Sequence, residues 1–169
     1  MEMVDALSFS GDIAELEGRL DEAHKILSDS IPIADALGDP VLSSEAALEL
    51  AEIALEQGHS AEARQYIQQG FKYLGGHKDP DDQIAANILL AKAALAEGNT
   101  RQATEAVNTA QAFLSQSPDW EGHVLFAITN SRLQLANSKF TSARDSIRSV
   151  IAETTRQGNV RYQLEARLA

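Results

Sequence analysis

The chain has no cysteine, only four prolines, and an aromatic content of 5% over 169 residues. Without cysteine there can be no disulfide, no thiolate nucleophile and no cysteine-ligated zinc. Four prolines without a Pro/Ser-rich tract argue against a disordered chain. A β-sandwich uses many aromatic and β-branched residues, so the low aromatic content disfavours that class. Abundant small side chains instead favour close packing of helices.

Long apolar segments and positive charge are also scarce. No apolar run approaches the roughly 20 residues of a membrane-spanning helix, and the first residues lack the basic and apolar regions of a secretory signal. Lys and Arg number 14 against 25 Asp and Glu, a net charge of −11. Anionic phosphate backbones and membrane surfaces repel such a chain. We therefore expect a cytoplasmic protein that binds neither nucleic acid nor membrane.

What the chain does contain is a repeat of 40 residues. Gly18, Gly58 and Gly98 lie 40 residues apart, and Ser138 occupies the fourth position. Small, aliphatic and acidic residues recur in the same register, for example Ala23, Ala63, Ala103 and Ala143. Seven such columns in one register are not expected by chance. The repeats cover about 1–40, 41–80, 81–120 and 121–160.

Each repeat is predicted to contain two helices. Asp39 with Pro40, and Asp79 with Pro80, have the form of a helix N-cap followed by proline at the first helical position. The predicted first helices cover about 40–57, 80–97 and 119–137, and Gly58 and Gly98 end the first two of them in the left-handed conformation. The second helices cover about 60–75 and 100–116, with Ser60 and Thr100 as caps to within one residue. No useful period-two alternation supports strands instead.

The repeat resembles the tetratricopeptide family. The turn between the helices of that family is similar to the segment Gly18-Arg19-Leu20-Asp21-Glu22-Ala23. The family pattern has a small residue, then glycine, then alanine, then a large apolar residue, and the first repeat fills these positions with Gly11, Gly18, Ala23 and Leu27. The resemblance covers nearly the whole chain and implies an all-α fold, a right-handed superhelix of four helix–turn–helix repeats, in one domain. The period of 40 exceeds the family's usual ~34. The repeat looks like the longer tetratricopeptide variant that is found in bacterial signal-transduction ATPases and transcription regulators.

Residues 161–169 begin a fifth first helix and stop within it. We expect from this that the sequence is a piece of a longer protein. The alternative is a natural end with a partial capping helix, since solenoids usually close with a capping element.

The resemblance implies a protein-binding scaffold whose concave groove is lined by the first helices. The predicted partner-binding residues are Leu48, Glu52, Leu55, Ile88, Lys92, Leu95, Ile128, Arg132 and Leu135. The spacing i, i+4, i+7 keeps each trio on one helix face. The apolar members could alternatively pack against neighbouring helices. Lys92 and Arg132 are the stronger candidates, because a charge has no packing reason to be there, and they predict a peptide ligand with a carboxylate.

The sequence contains no recognisable catalytic or cofactor-binding motif, so we expect a non-catalytic chain without cofactor. No pair among the four histidines has the i, i+4 spacing of a helical metal site: His24, His59, His77 and His123. The glutamates at 45, 49, 52 and 56 are interpreted as a solvated helix face. Tetratricopeptide domains that bind acidic chaperone tails use Lys, Asn and Arg, whereas the matching positions here are Ser8, Asp12, Glu49, Ala85 and Leu89.

Two other roles compete with partner binding. One is a structural solenoid that associates with itself, and the other is the regulatory arm of a larger signalling enzyme or transcription factor. Residues 1–40 carry ten acidic and two basic residues, a net charge of −8, whereas residues 121–169 have a net charge of +3. This gradient predicts weak head-to-tail association, a contact between two different surfaces that can propagate.

Overall fold

The computed structural model describes residues 2–75 and 79–169, with side chains from residue 6 onwards. Within these ranges there are no strands, and the chain forms nine α-helices: α1 Glu2–Leu16, α2 Leu20–Leu37, α3 Pro40–Glu56, α4 Ser60–Leu74, α5 Pro80–Ala96, α6 Thr100–Leu114, α7 Trp120–Ala136, α8 Phe140–Gln157 and α9 Val160–Leu168. The all-α repeat of paired helices predicted from the sequence is confirmed. No helix of the described part is both long and apolar enough to cross a membrane.

The first helices of the second, third and fourth repeats each begin directly after an aspartate of the 40-residue register. Asp39, Asp79 and Asp119 are the N-caps of α3, α5 and α7, and each side chain accepts hydrogen bonds from backbone N–H groups of the first turn. These bonds satisfy donors that have no partner inside the helix. Proline at the first position of α3 and α5 costs no hydrogen bond there.

The turn between the two helices of a repeat uses the left-handed conformation. Gly58 and Gly98 have φ values of +79° and +71°, as predicted, and Ser138 adopts +57° in the fourth repeat. The caps of the second helices lie one residue before Ser60 and Thr100, within the one-residue margin of the prediction. Asn99 caps α6 through its side chain, whereas His59 precedes α4 without a side-chain cap. Ser60 and Thr100 are instead the first helical residues.

The described helices form two compact units, residues 1–78 and 79–169. In unit 1, α1 packs on α2, α2 on α3, and α3 on α4. Its core combines small and large side chains, namely Ala14, Ala23, Leu27, Leu50 and Ile53. Helices approach closely at Gly11, because a Cβ built there would lie 2.9 Å from the Leu27 side chain. The assignment of the whole chain to one domain stays a prediction.

In unit 2, α5 packs on α6 and α7, α7 packs on α8, and α9 contacts both α7 and α8. One core cluster joins Ile84 and Ile88 of α5 to alanines of α6 and to Leu133 of α7. A second cluster joins α7, α8 and α9 through Val124, Ile128, Val150, Tyr162 and Ala166. The helix predicted to begin near residue 161 is therefore present as α9, and its inner face is packed.

Candidate functional site

Five carboxylates of α1 and α3 in unit 1 lie close enough to interact electrostatically. They form what we call the acidic face: Asp12, Glu15, Glu45, Glu49 and Glu52. Glu49 is the inner member, and its Oε2 is shielded from solvent without a hydrogen-bond partner among the described residues. Burial, reinforced by the negative charges of the other four, raises the pKa of Glu49 to about 8. Glu49 is therefore mostly protonated at neutral pH.

This finding corrects one expectation from the sequence. The glutamates of α3 were interpreted as a solvated helix face, and Glu45 is indeed exposed. Glu49, however, is half-buried, and its Oε2 is shielded from solvent. The equivalent residues of the next two repeats, Leu89 and Thr129, are buried. From the second repeat to the fourth, the position thus lies towards the packed side of a first helix, and the second repeat places a carboxyl group there.

The predicted partner-binding residues of unit 1 differ in accessibility. Leu48 is only 8% exposed, and a Cβ built on Gly70 of α4 would lie 2.8 Å from its Cδ2. Leu48 therefore fills the contact between the two helices of its repeat. Glu52 and Leu55 are half-buried and remain accessible on α3. Partner binding by these residues stays a prediction.

The four predicted apolar residues of unit 2 show the same division. Ile88 and Ile128 are buried in the two core clusters, so packing against the second helices and α9 accounts for them. Leu95 is half-buried against the first cluster. Leu135, at 38% exposure, is the most accessible apolar residue of the predicted set.

The two predicted cations of unit 2 lie in different surroundings. Lys92 on α5 is 14% exposed, and its Nζ lies 3.9 Å from Oε1 of Glu165 on α9. This ion pair within unit 2 gives Lys92 a structural role that the sequence did not predict, and partner binding by Lys92 stays a prediction. Arg132 on α7 is half-buried.

A polar pocket on the second-helix side of unit 2 has no counterpart in the sequence predictions. It has a volume of about 260 Å³ and lies among α6, α7 and the start of α8. Its lining includes Asn130, Gln134, Asn137 and Lys139. The helical spacing of Asn130, Gln134 and the C-cap residue Asn137 of α7 was the one signal that could have indicated it.

No group of three or more His, Asp or Glu side chains among the described residues has a geometry suited to a metal ion. His24 Nε2 lies 3.0 Å from the Tyr66 hydroxyl, and His123 Nε2 lies 3.1 Å from the Ser117 carbonyl. His77 lies outside the described residues.

The paired helices, left-handed turns and shared columns define a helical repeat of the tetratricopeptide type. Residues 3–169 match the family described as the MalT-like TPR region. The chain therefore belongs to that family, and its long repeat is of the kind this family contains. A search of curated proteins found no match.

Proposed function

We propose that this chain is a non-catalytic interaction module that binds a partner protein through its first helices. Membership of a tetratricopeptide family supports this role, because stacked helix pairs of this kind present extended binding surfaces. The observation that carries the proposal is the acidic face of unit 1 with the carboxyl group of Glu49, whose Oε2 is buried without a hydrogen-bond partner among the described residues.

A basic segment is the partner that this face fits. Four carboxylates next to Glu49 create a negative field that attracts lysine or arginine side chains. A cation placed beside Glu49 would stabilise its charged form and lower its pKa. Binding and loss of the Glu49 proton are therefore coupled, so affinity for a cationic segment rises as pH increases through about 8.

The test is calorimetric titration with a blocked peptide that alternates lysine and alanine. The variant Glu45→Gln/Glu52→Gln removes two charges from the acidic face and should weaken binding about three- to tenfold. The matched control, Asp21→Asn/Asp29→Asn, removes two exposed charges from α2 and should bind like the wild type. Equal losses in both variants would show attraction by net charge alone and contradict the proposal.

A second readout concerns the proton. Titration in buffers of different ionisation enthalpy measures the protons released on binding. The wild type should release part of a proton between pH 7 and 8, because Glu49 is mostly neutral before binding. The variant Glu49→Gln should release none. The same release from both proteins would mean that Glu49 does not face the bound peptide.

A further inference from the structure

The polar pocket of unit 2 has a wall of hydrogen-bonding side chains. Its described lining contains five carboxamides, one lysine and no acidic residue, namely Asn108, Gln111, Asn130, Gln134, Asn137 and Lys139. Each carboxamide carries both donors and acceptors. The whole chain has a net charge of −11, so a wall with one positive charge and no negative one is a local exception. This wall therefore favours a polar ligand that is neutral or negatively charged.

The 40-residue register shows that two of these carboxamides occupy positions that another repeat gives to its core. The equivalents of Asn130 and Gln134 in the second repeat are Leu50 and Ala54, and both are fully buried in unit 1. In the fourth repeat the same two positions of α7 line the pocket. Carboxamides at such positions give up apolar burial and need hydrogen-bond partners. Packing alone therefore does not account for them.

The carboxamide of Gln134 shows this need directly. Its Oε1 is shielded from solvent and has no hydrogen-bond partner among the described residues. Such an atom has lost its hydrogen bonds to water without gaining one from the protein, which is unfavourable. The terminal torsion of glutamine is broad, so a ligand in the pocket that offers a donor can draw this carboxamide into a hydrogen bond.

One end of the pocket is formed by the start of α8. Lys139 is the N-cap residue, its side chain makes no cap hydrogen bond, and the first turn of α8 contains no acidic residue. In unit 1 the equivalent of the pocket residue Ser142 is Glu62, an acid in the first turn of α4. The first N–H groups of a helix have no partner inside it, and the helix dipole makes that end positive. Together with the lysine, they favour an anion at this end of the pocket.

We propose that the polar pocket binds a small ligand with one carboxylate and an amide-bearing body. The carboxylate lies at the start of α8 beside Lys139, and the carboxamides of α6 and α7 pair with the amide groups. One lysine matches the single charge of a carboxylate better than a phosphate group, which carries about −1.5 to −2. The volume of about 260 Å³ is below the ~300–1,000 Å³ of pockets for drug-sized ligands, so the ligand is small. Peptide binding by the acidic face of unit 1 does not depend on this site.

Three small probes test the two parts of this recognition by NMR titration of the isotope-labelled whole chain. N-acetylasparagine has a carboxylate and an amide-bearing body, and it should bind saturably with a Kd of about 1–10 mM. N-acetylasparagine amide lacks the charge and N-acetylleucine lacks the side-chain carboxamide, so each should bind at least about fivefold more weakly. Equal affinity for all three probes, or no saturable binding of N-acetylasparagine, would overturn the proposal. Inorganic phosphate that binds as tightly would reveal a plain anion site and overturn it as well.

The register supplies a variant that should close the pocket and keep the fold. Asn130→Leu/Gln134→Ala introduces the residues that fill these positions in the second repeat. Binding of N-acetylasparagine should fall at least about tenfold, because two hydrogen-bonding groups are lost and the space is filled. Circular dichroism verifies that the variant is folded. A folded variant that binds like the wild type would overturn the proposal.

A second variant tests the charge without altering the core. Lys139→Ala should weaken N-acetylasparagine at least about threefold and leave the affinity for N-acetylasparagine amide unchanged. The control Gln65→Ala/Lys72→Ala removes an exposed carboxamide and an exposed lysine from α4 and should bind like the wild type. Equal loss for both probes in Lys139→Ala, or the same loss in the control, would show that the carboxylate does not lie beside Lys139 and would overturn the proposal.

Discussion

The two units place different chemistry at the same position of the repeat. In unit 2 the first helices carry Leu89 and Thr129 there, both buried and uncharged. In unit 1 the second repeat holds Glu49 there, whose pKa is raised to about 8 by burial and by neighbouring carboxylates, and the first repeat holds the exposed Phe9. Small residues set the helix spacing in both units, for example Ala51 and Ala91. The comparison teaches that this repeat can vary one inner position without changing how its helices pair.

The largest effect should come from truncating a packed residue in either unit. Leu48→Ala in unit 1 and Ile128→Ala in unit 2 should each lower the free energy of unfolding by about 2–4 kcal/mol, because each leaves a cavity. Leu135→Ala, at a more exposed position, should change it by less than about 0.5 kcal/mol. Urea denaturation followed by circular dichroism measures all three. If the free energy of unfolding changes little in all three variants, Leu48 and Ile128 lie on an accessible binding surface rather than in the core.

The next effect concerns the pH dependence that only unit 1 should show. The native state holds the Glu49 proton more tightly than the unfolded state, because its pKa is about 8 rather than 4.5. The contribution of Glu49 to stability is therefore full below pH 4.5 and falls as pH rises towards about 8. The wild type should lose about 2–4 kcal/mol relative to Glu49→Gln across this range.

Urea denaturation at several pH values measures this difference. The control Glu105→Gln alters an exposed glutamate of unit 2 and should follow the wild-type profile. If Glu49→Gln also follows the wild type, the carboxyl group is hydrated in solution and the contrast between the units disappears.

A smaller loss of stability, similar in the two units, should follow when a larger side chain replaces one of the alanines that recur every 40 residues. Ala63 in unit 1 and Ala103 in unit 2 are fully buried. Replacement of either by leucine should cost about 1–3 kcal/mol, because extra methylene groups force neighbouring side chains to move. An unchanged denaturation midpoint in both variants would show that the register of the helix pairs is wrong.

The smallest effect concerns the two cations of unit 2. Lys92→Ala/Arg132→Ala should weaken binding of a blocked glutamate–leucine peptide about threefold and flatten its salt dependence. The modest size follows from the ion pair between Lys92 and Glu165. Arg101→Ala/Arg144→Ala removes two exposed arginines and serves as the charge-matched control. Equal affinity in all three proteins would show that acidic peptides bind at another surface.

Features that depend on nearby residues could be predicted from the sequence. The Asp caps of α3 and α5 and the left-handed glycines at 58 and 98 follow from local backbone chemistry, and the structure has them where expected. The pairing of Lys92 with Glu165 could not be predicted, because it joins helices far apart in the sequence. The burial of Glu49 was missed because helical spacing alone does not distinguish an inner position from a solvated one.

Ser138 gives the fourth repeat a different local stability. Its turn has the same form as the others, with the Lys139 N–H donating to the Gln134 carbonyl over 2.8 Å, but a side chain in the left-handed conformation costs about 1 kcal/mol more than glycine. The following helix, α8, has only three buried residues: Ala143, Val150 and Thr154. We expect its amide protons to exchange with solvent faster than those of α6, through local opening of α8 and the α9 packed on it that leaves α5, α6 and α7 folded. Ser138→Gly should slow that exchange severalfold, so one side chain in a turn sets how often α8 opens.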